Sequence, residues 1–133
     1  MAFIDWTDEF ATGVETVDNQ HRQLVEIVNK FDEAARRGKG SRIMNEILTD
    51  LIGYTAEHFA HEEQVIEELG YPKLEVHQNQ HRQLLQKVER LQFEFTQQNK
   101  RITPEVRDFL KYWLTNHILK DDKAWAAMAL QES

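Results

Sequence analysis

Cysteine is missing from this chain altogether. That excludes disulfides, thiolate nucleophiles, thiolate-held zinc and cysteine-bound iron–sulfur clusters, and it fits a reducing compartment. Proline and glycine are scarce, at 2 and 5 of 133 residues, so a turn-rich β fold is not suggested and long helices are permitted. Positive charge is in deficit. Against 23 acidic residues stand 16 Lys and Arg, a formal net charge of −7, and no basic cluster offers a face to phosphates. Nucleic acid is therefore not an expected partner. No apolar run approaches the roughly 20 residues that span a bilayer. The start, Met1-Ala2-Phe3-Ile4-Asp5-Trp6, has neither the basic nor the apolar region of a secretory signal. These absences describe a cytoplasmic protein that is not membrane-embedded. What the chain does have, 41% apolar and 29% charged residues, suffices for one hydrophobic core in one domain over 1–133.

The apolar residues recur in threes and fours, the period of amphipathic helices. Residues 1–13 show no such period and read as an extended N-terminal arm, with Trp6 and Phe10 as packing anchors. A first helix, about 14–37, carries the stripe Val14, Val17, His21, Leu24, Val28, Phe31 and Ala35 and ends at Gly38 and Gly40. A second, 41–70, takes Ser41 as a plausible N-cap. Its stripe is Met44, Ile47, Leu48, Leu51, Thr55, His58, Glu62, Val65, Ile66 and Leu69, and Gly70 stops it. After the Tyr71-Pro72 turn the third helix, 73–99, shows Leu74, His77, His81, Leu84, Val88, Leu91 and Phe95. Thr103-Pro104-Glu105 opens a fourth, 104–120, with Val106, Leu110, Trp113, Leu114, His117 and Ile118 inward. The tail from Trp125 to Leu130 either continues this helix or folds back over it. Four long helices with short links predict an all-α, up-down-up-down four-helix bundle.

Five of the six histidines, His21, His58, His77, His81 and His117, lie on these inward stripes; only His61 is off-centre and reads as a surface residue or an outer partner of a ligand. A lone histidine in such a place is ordinarily a satisfied core residue. Here, however, His21 and the pair His77/His81 come early in their helices, while His58 and His117 come late. Antiparallel packing then brings all five to one level, together with Glu62 and an aspartate after His117. An ionised carboxylate in a core costs several kcal/mol unless it is paired or bound to a cation. A metal resolves that cost and satisfies the imidazole nitrogens as well. Seven donors exceed one tetrahedral zinc and suit two ions bridged by carboxylates, a donor set compatible with iron.

The segments Asp18-Asn19-Gln20-His21, His58-Phe59-xx-Glu62-Glu63, His77-xxx-His81 and Trp113-Leu114-xx-His117-Ile118-xxx-Asp122 resemble the hemerythrin signature in order and spacing, over nearly the whole chain. The resemblance implies two non-heme irons: His77, His81 and His117 on one, His21 and His58 on the other, and Glu62, Asp122 and an oxo or hydroxo group between them. A straight helix turns about 100° per residue, which would bring Asp121 rather than Asp122 beneath His117. The resemblance nominates Asp122, and that requires a π-bulge or an unwinding turn. Asp18 could cap the first helix or orient a ligand imidazole. Glu63 has no obvious ligand role.

With two histidines rather than three, one iron is left a single open position. Glu-xx-His pairs, the mark of di-iron oxygenases, are absent from the inward stripes. A histidine-rich site favours reversible dioxygen binding over O–O cleavage. Leu24, Phe59, Trp113, Leu114 and Ile118 lie beside the ligands and correspond to the family's apolar oxygen pocket, which would limit proton delivery. The expected function is dioxygen transport, storage or delivery to an oxygen-consuming enzyme, by a monomer that is not itself an enzyme. A di-iron oxidase, peroxidase or ferroxidase, and an oxygen or nitric oxide sensor, stay open.

Overall fold

The computed structural model describes residues 2–132, with side chains through Met128; Met1, Ser133 and the side chain of Leu130 lie outside the described residues. It is a four-helix bundle: α1 (Glu15–Arg36), α2 (Ser41–Glu68), α3 (Leu74–Gln97) and α4 (Pro104–Asn116). A π-helical turn, His117–Asp122, joins α4 to a final helix α5, Lys123–Glu132. No strand occurs among the described residues. The tail thus continues the fourth helix rather than folding back.

Local chemistry fixes the ends. Gly38 and Gly70 sit at φ +68° and +71°, the left-handed region that glycine enters without a Cβ penalty. The amides that follow close each helix onto its own last turn: Lys39 N donates to Ala34 O at 3.0 Å, and Tyr71 N to Ile66 O at 3.3 Å. Thr103 caps α4, its hydroxyl accepting from Val106 N at 3.3 Å ahead of Pro104. Ser41 is not the cap of α2. It is the first helical residue, and Gly40 holds the cap position with no side chain to offer.

Two apolar clusters fill the bundle. The larger contains Leu24, Val28, Phe31, Leu48, Leu51, Val88 and Leu110; the smaller is Val17, Ile66, Trp125 and Ala126 at one end. Each fully buried side chain of this kind contributes about 1.5–3 kcal/mol. Between the clusters lies a polar layer.

The arm is less extended than its sequence suggests, since Asp8–Phe10 form a 3₁₀ turn. Its deepest anchor is Ile4, whose N and O pair with the Asn29 side chain at 2.7 and 2.9 Å. Phe10 is buried and Trp6 only half-buried, under the guanidinium of Arg22 at 4.8 Å. No helix is long and apolar enough to cross a membrane among the described residues.

Candidate metal centre

Three helices, α1, α2 and α3, and the π turn place side chains in the polar layer. The stripe positions that carry leucine and valine elsewhere carry His21 on α1, His58 and Glu62 on α2, His77 and His81 on α3, and His117 and Asp122 on the π turn. All seven are buried, Glu62 and Asp122 completely. Each carboxylate divides its oxygens between two groups of histidines. Glu62 Oε2 lies 3.2 Å from His21 Nε2 and 3.0 Å from His58 Nε2. Its Oε1 lies 2.7 Å from His77 Nε2 and 3.1 Å from His81 Nε2. Asp122 repeats the division: Oδ2 is 3.0 Å from His21, while Oδ1 is 3.2 Å from both His77 and His117. Two overlapping donor sets result, each with its atoms within 4.8 Å of one another and each able to hold a metal. One set is His21, His58, Glu62 and Asp122; the other is His77, His81, His117 and the same two carboxylates.

Short distances here do not all make hydrogen bonds. His58 Nε2, His117 Nε2 and Asp122 Oδ2 are buried without a partner, because their angles aim past one another. Groups this deeply buried are normally satisfied. Donor atoms that converge on common points instead of pairing are what a coordinated cation requires, so the residues present fit a metal.

The imidazole edges that face outward are held. His58 Nδ1 lies 2.7 Å from Gln20 Oε1, His81 Nδ1 2.8 Å from Glu63 Oε2, and His117 Nδ1 2.9 Å from Asp121 Oδ2. An acceptor on Nδ1 places the proton there and leaves Nε2 bare toward the cluster. Without metal, charge settles on the histidines. Burial pushes His21, His77 and His117 down, but Asp122 and Glu62 outweigh it and raise them to about 9, 9 and 10. For His58 burial prevails over Glu62, and its pKa falls. Burial also works against ionised Glu62, yet the surrounding histidines hold it well below the usual carboxylate range. Asp122 is likewise held low, by His117 and His21, against burial and repulsion from Glu62.

The π turn decides between the two aspartates. One wider turn after His117 swings Asp122 inward and leaves Asp121 outside, bonded to His117 Nδ1. Asp18 neither caps α1 nor touches an imidazole. It accepts from Thr12 N, Thr12 Oγ1 and Gly13 N at 2.8, 2.7 and 3.2 Å. His61 stays outside the cluster, 3.2 Å from Thr16 Oγ1.

Beside the cluster is a small cavity lined by His21, Leu24, His58, Phe59, Leu84, Trp113, Leu114, His117 and Ile118. Its volume is about 10 Å³, room for one very small molecule. All five apolar residues expected beside the ligands line it. Leu84, a sixth, sits on the α3 stripe three residues after His81 and is legible there only as core. Its carbonyl takes the Trp113 indole N–H at 2.9 Å and fixes that ring in the wall. Sequence reasoning also missed the roles of Gln20 and Glu63, and of Trp125, whose indole N–H points at Asp122 Oδ1 from 3.4 Å. Glu63 carries a signal after the fact: it is the neighbour of Glu62, on the side of α2 that faces α3.

The hemerythrin HHE cation-binding domain family matches residues 12–129. A bacteriohemerythrin of Stenotrophomonas maltophilia is 34% identical over 126 residues, covering 95% of this chain and 81% of that protein. A bacteriohemerythrin of Clostridium acetobutylicum is 34% identical over 125 residues, with 90% and 96% covered. The fold is similar to the crystal structure of wild-type hemerythrin, with a TM-score of 0.87, 31% identity, and 96% of this chain and 98% of that one covered. The chain belongs to the hemerythrin family.

Proposed function

We propose that this protein binds dioxygen reversibly at a pair of non-heme irons held by His21, His58, His77, His81, His117, Glu62 and Asp122, and does not turn over a substrate. The observation that carries the reading is the position of the cavity. It reaches both histidines of the set that has two imidazoles, His21 and His58, and only His117 of the set that has three. An ion of octahedral preference in the smaller set has the more room for an outside ligand, and that set faces the cavity. The bound iron pair would supply the electrons and the open position that dioxygen requires.

The chain's own residues supply the rest. Leu24, Phe59, Leu84, Trp113, Leu114 and Ile118 exclude water, which withholds protons and slows irreversible oxidation. Gln20, Glu63 and Asp121 hold three imidazoles with Nε2 inward. The cavity has room for a very small ligand and none for an organic substrate, which supports dioxygen carriage, storage or delivery to an oxygen-consuming enzyme over oxidation of organic molecules. The relatives named bacteriohemerythrin support the same reading.

Metal analysis combined with visible spectra under air and under inert gas tests it. Two irons per chain and a visible band that appears in air and vanishes under inert gas are expected. Irons that oxidise at once and return only with a reductant would move the assignment to catalysis. A single metal, or zinc alone, would overturn the two-iron reading.

A further inference from the structure

Residues 11–13 are tied on both sides to the scaffold of the cluster. On one side Asp18, buried in the first turns of α1, collects the amides of Thr12 and Gly13 and the Thr12 hydroxyl. On the other, Lys123 Nζ donates to Ala11 O at 3.0 Å, and Lys123 directly follows Asp122. His21 stands one helical turn beyond Asp18, with its Nε2 3.0 Å from Asp122 Oδ2. The segment therefore ties α1 from outside to the first residue of α5, directly beside the contact that His21 and Asp122 make between α1 and the π turn from inside. Asp122 ends a π turn, where the regular α-helical ladder that carries Glu62 is interrupted. The far end of the arm is anchored independently, through Ile4 on Asn29 and Phe3 against Lys111.

We propose that residues 11–13 are a strap, closed by Lys123 and Asp18 as positioning residues, that keeps Asp122 against His21 and sets how fast metal leaves the His21/His58 set. The inference rests on the metal-holding reading of the cluster but not on which metal is held. Release from a buried site requires its ligands to part through local opening. Here the parting pair lies on α1 and the π turn, and the strap must yield with them.

The test is the rate at which the cobalt(II)-loaded full chain loses metal to excess chelator at pH 7. The variants are Lys123→Met, Asp18→Ala, the two combined, Lys123→Arg, and Ile4→Ala as a control at the distant anchor. Lys123→Met removes one charged hydrogen bond and is expected to speed release about tenfold, and Asp18→Ala, which frees the other side of the same segment, by at least as much. The combination should be no faster than the faster of the two alone, because both open one strap. Lys123→Arg should restore the parent rate, and Ile4→Ala should leave it unchanged. Parent-rate release from Lys123→Met, additive effects, failure of arginine to rescue, or equal acceleration by Ile4→Ala would each overturn the strap. Lys123→Met keeps the apolar stem at a half-buried position, so the comparison stands even if Asp18→Ala folds poorly. One cobalt per chain instead of two would count against the two-metal reading while leaving the release comparison intact.

Discussion

Asp121 and Asp122 are the same side chain on adjacent residues, with opposite places in the structure. Asp122 is fully buried and shares its oxygens between both donor sets, while Asp121 touches only the outer nitrogen of His117. Asp122→Ala should leave a chain that retains at most one metal. Asp121→Ala should still load both, with affinity lower by about 10–100-fold, the usual cost of losing an outer partner of a ligand histidine. Metal titration of the two variants checks this, and the reverse order would sink the assignment. Leu114, in the cavity wall, is the counterpart among apolar residues. If the cluster holds the proposed iron pair, Leu114→Ala should keep it, lose about 2–4 kcal/mol of stability, and oxidise several-fold faster in air as water gains access. Stopped-flow spectra and urea denaturation report the two effects separately; an unchanged oxidation rate would remove Leu114 from the oxygen pocket. At this scale the cluster was legible because buried charge is so costly that His58 and Glu62 on one inward stripe already required a cation or a partner. Its outer partners were not, because Gln20, Glu63 and Trp125 read as ordinary helix surface or core until the neighbouring helix is in place.

At the scale of the element, stripes of leucine, valine and phenylalanine with few prolines or glycines determine four helices, and these were plain in the sequence. The ends were plain where a side chain or a φ angle enforces them, as at Gly38, Gly70 and Thr103. They were obscure where nothing does, as at Ser41. The π turn lies between: periodicity alone points to Asp121, and only the hemerythrin pattern called for an irregular turn that packing then supplies. The arm's 3₁₀ turn and the Ile4 anchor left no periodic trace, because single contacts to Asn29 rather than a repeating face create them. Two glycines give the element scale a sharp test. Gly53 is inside α2 with nothing within 4 Å of an added Cβ. Gly53→Ala should therefore stabilise by about 0.5–1 kcal/mol, the difference in helix preference. Gly70 has equally open surroundings but a φ of +71°, so Gly70→Ala should cost about 1–2 kcal/mol. Chemical denaturation of the two variants should move in opposite directions, and movement in the same direction would show that space rather than φ controls these sites.

For the whole molecule, the cluster makes a bundle that is stable in two different ways, with opposite responses to pH. Without metal, His21, His77 and His117 carry protons between Glu62 and Asp122, with pKa values of about 9, 9 and 10 against 6.5 for free histidine. A group whose folded pKa is raised stabilises fully below its unfolded pKa and ceases to do so above its folded one. The metal-free protein should thus lose stability as pH rises from about 6.5 through 9 to 10. Glu62 and Asp122 are shifted the other way, so their contribution is present above about pH 4.5 and vanishes as acid protonates them. His58, lowered by burial, opposes its neighbours only in acid, below about pH 6.5. The melting temperature of the metal-free chain should accordingly be highest near pH 6.5, above which the raised histidines begin to lose their contribution and below which His58 subtracts. Metal reverses the demand, because it needs the imidazoles neutral. Loading at pH 7.5 must expel the protons on His21, His77 and His117, about three per chain, and affinity must rise with pH until those groups are bare. Calorimetry in buffers of different ionisation enthalpy counts the released protons. The loaded protein should then hold its melting temperature through pH 9, where the metal-free one declines. Loading without proton release would mean that the histidines are already neutral in the empty bundle, and that Glu62 and Asp122 are kept ionised by something other than the imidazoles around them.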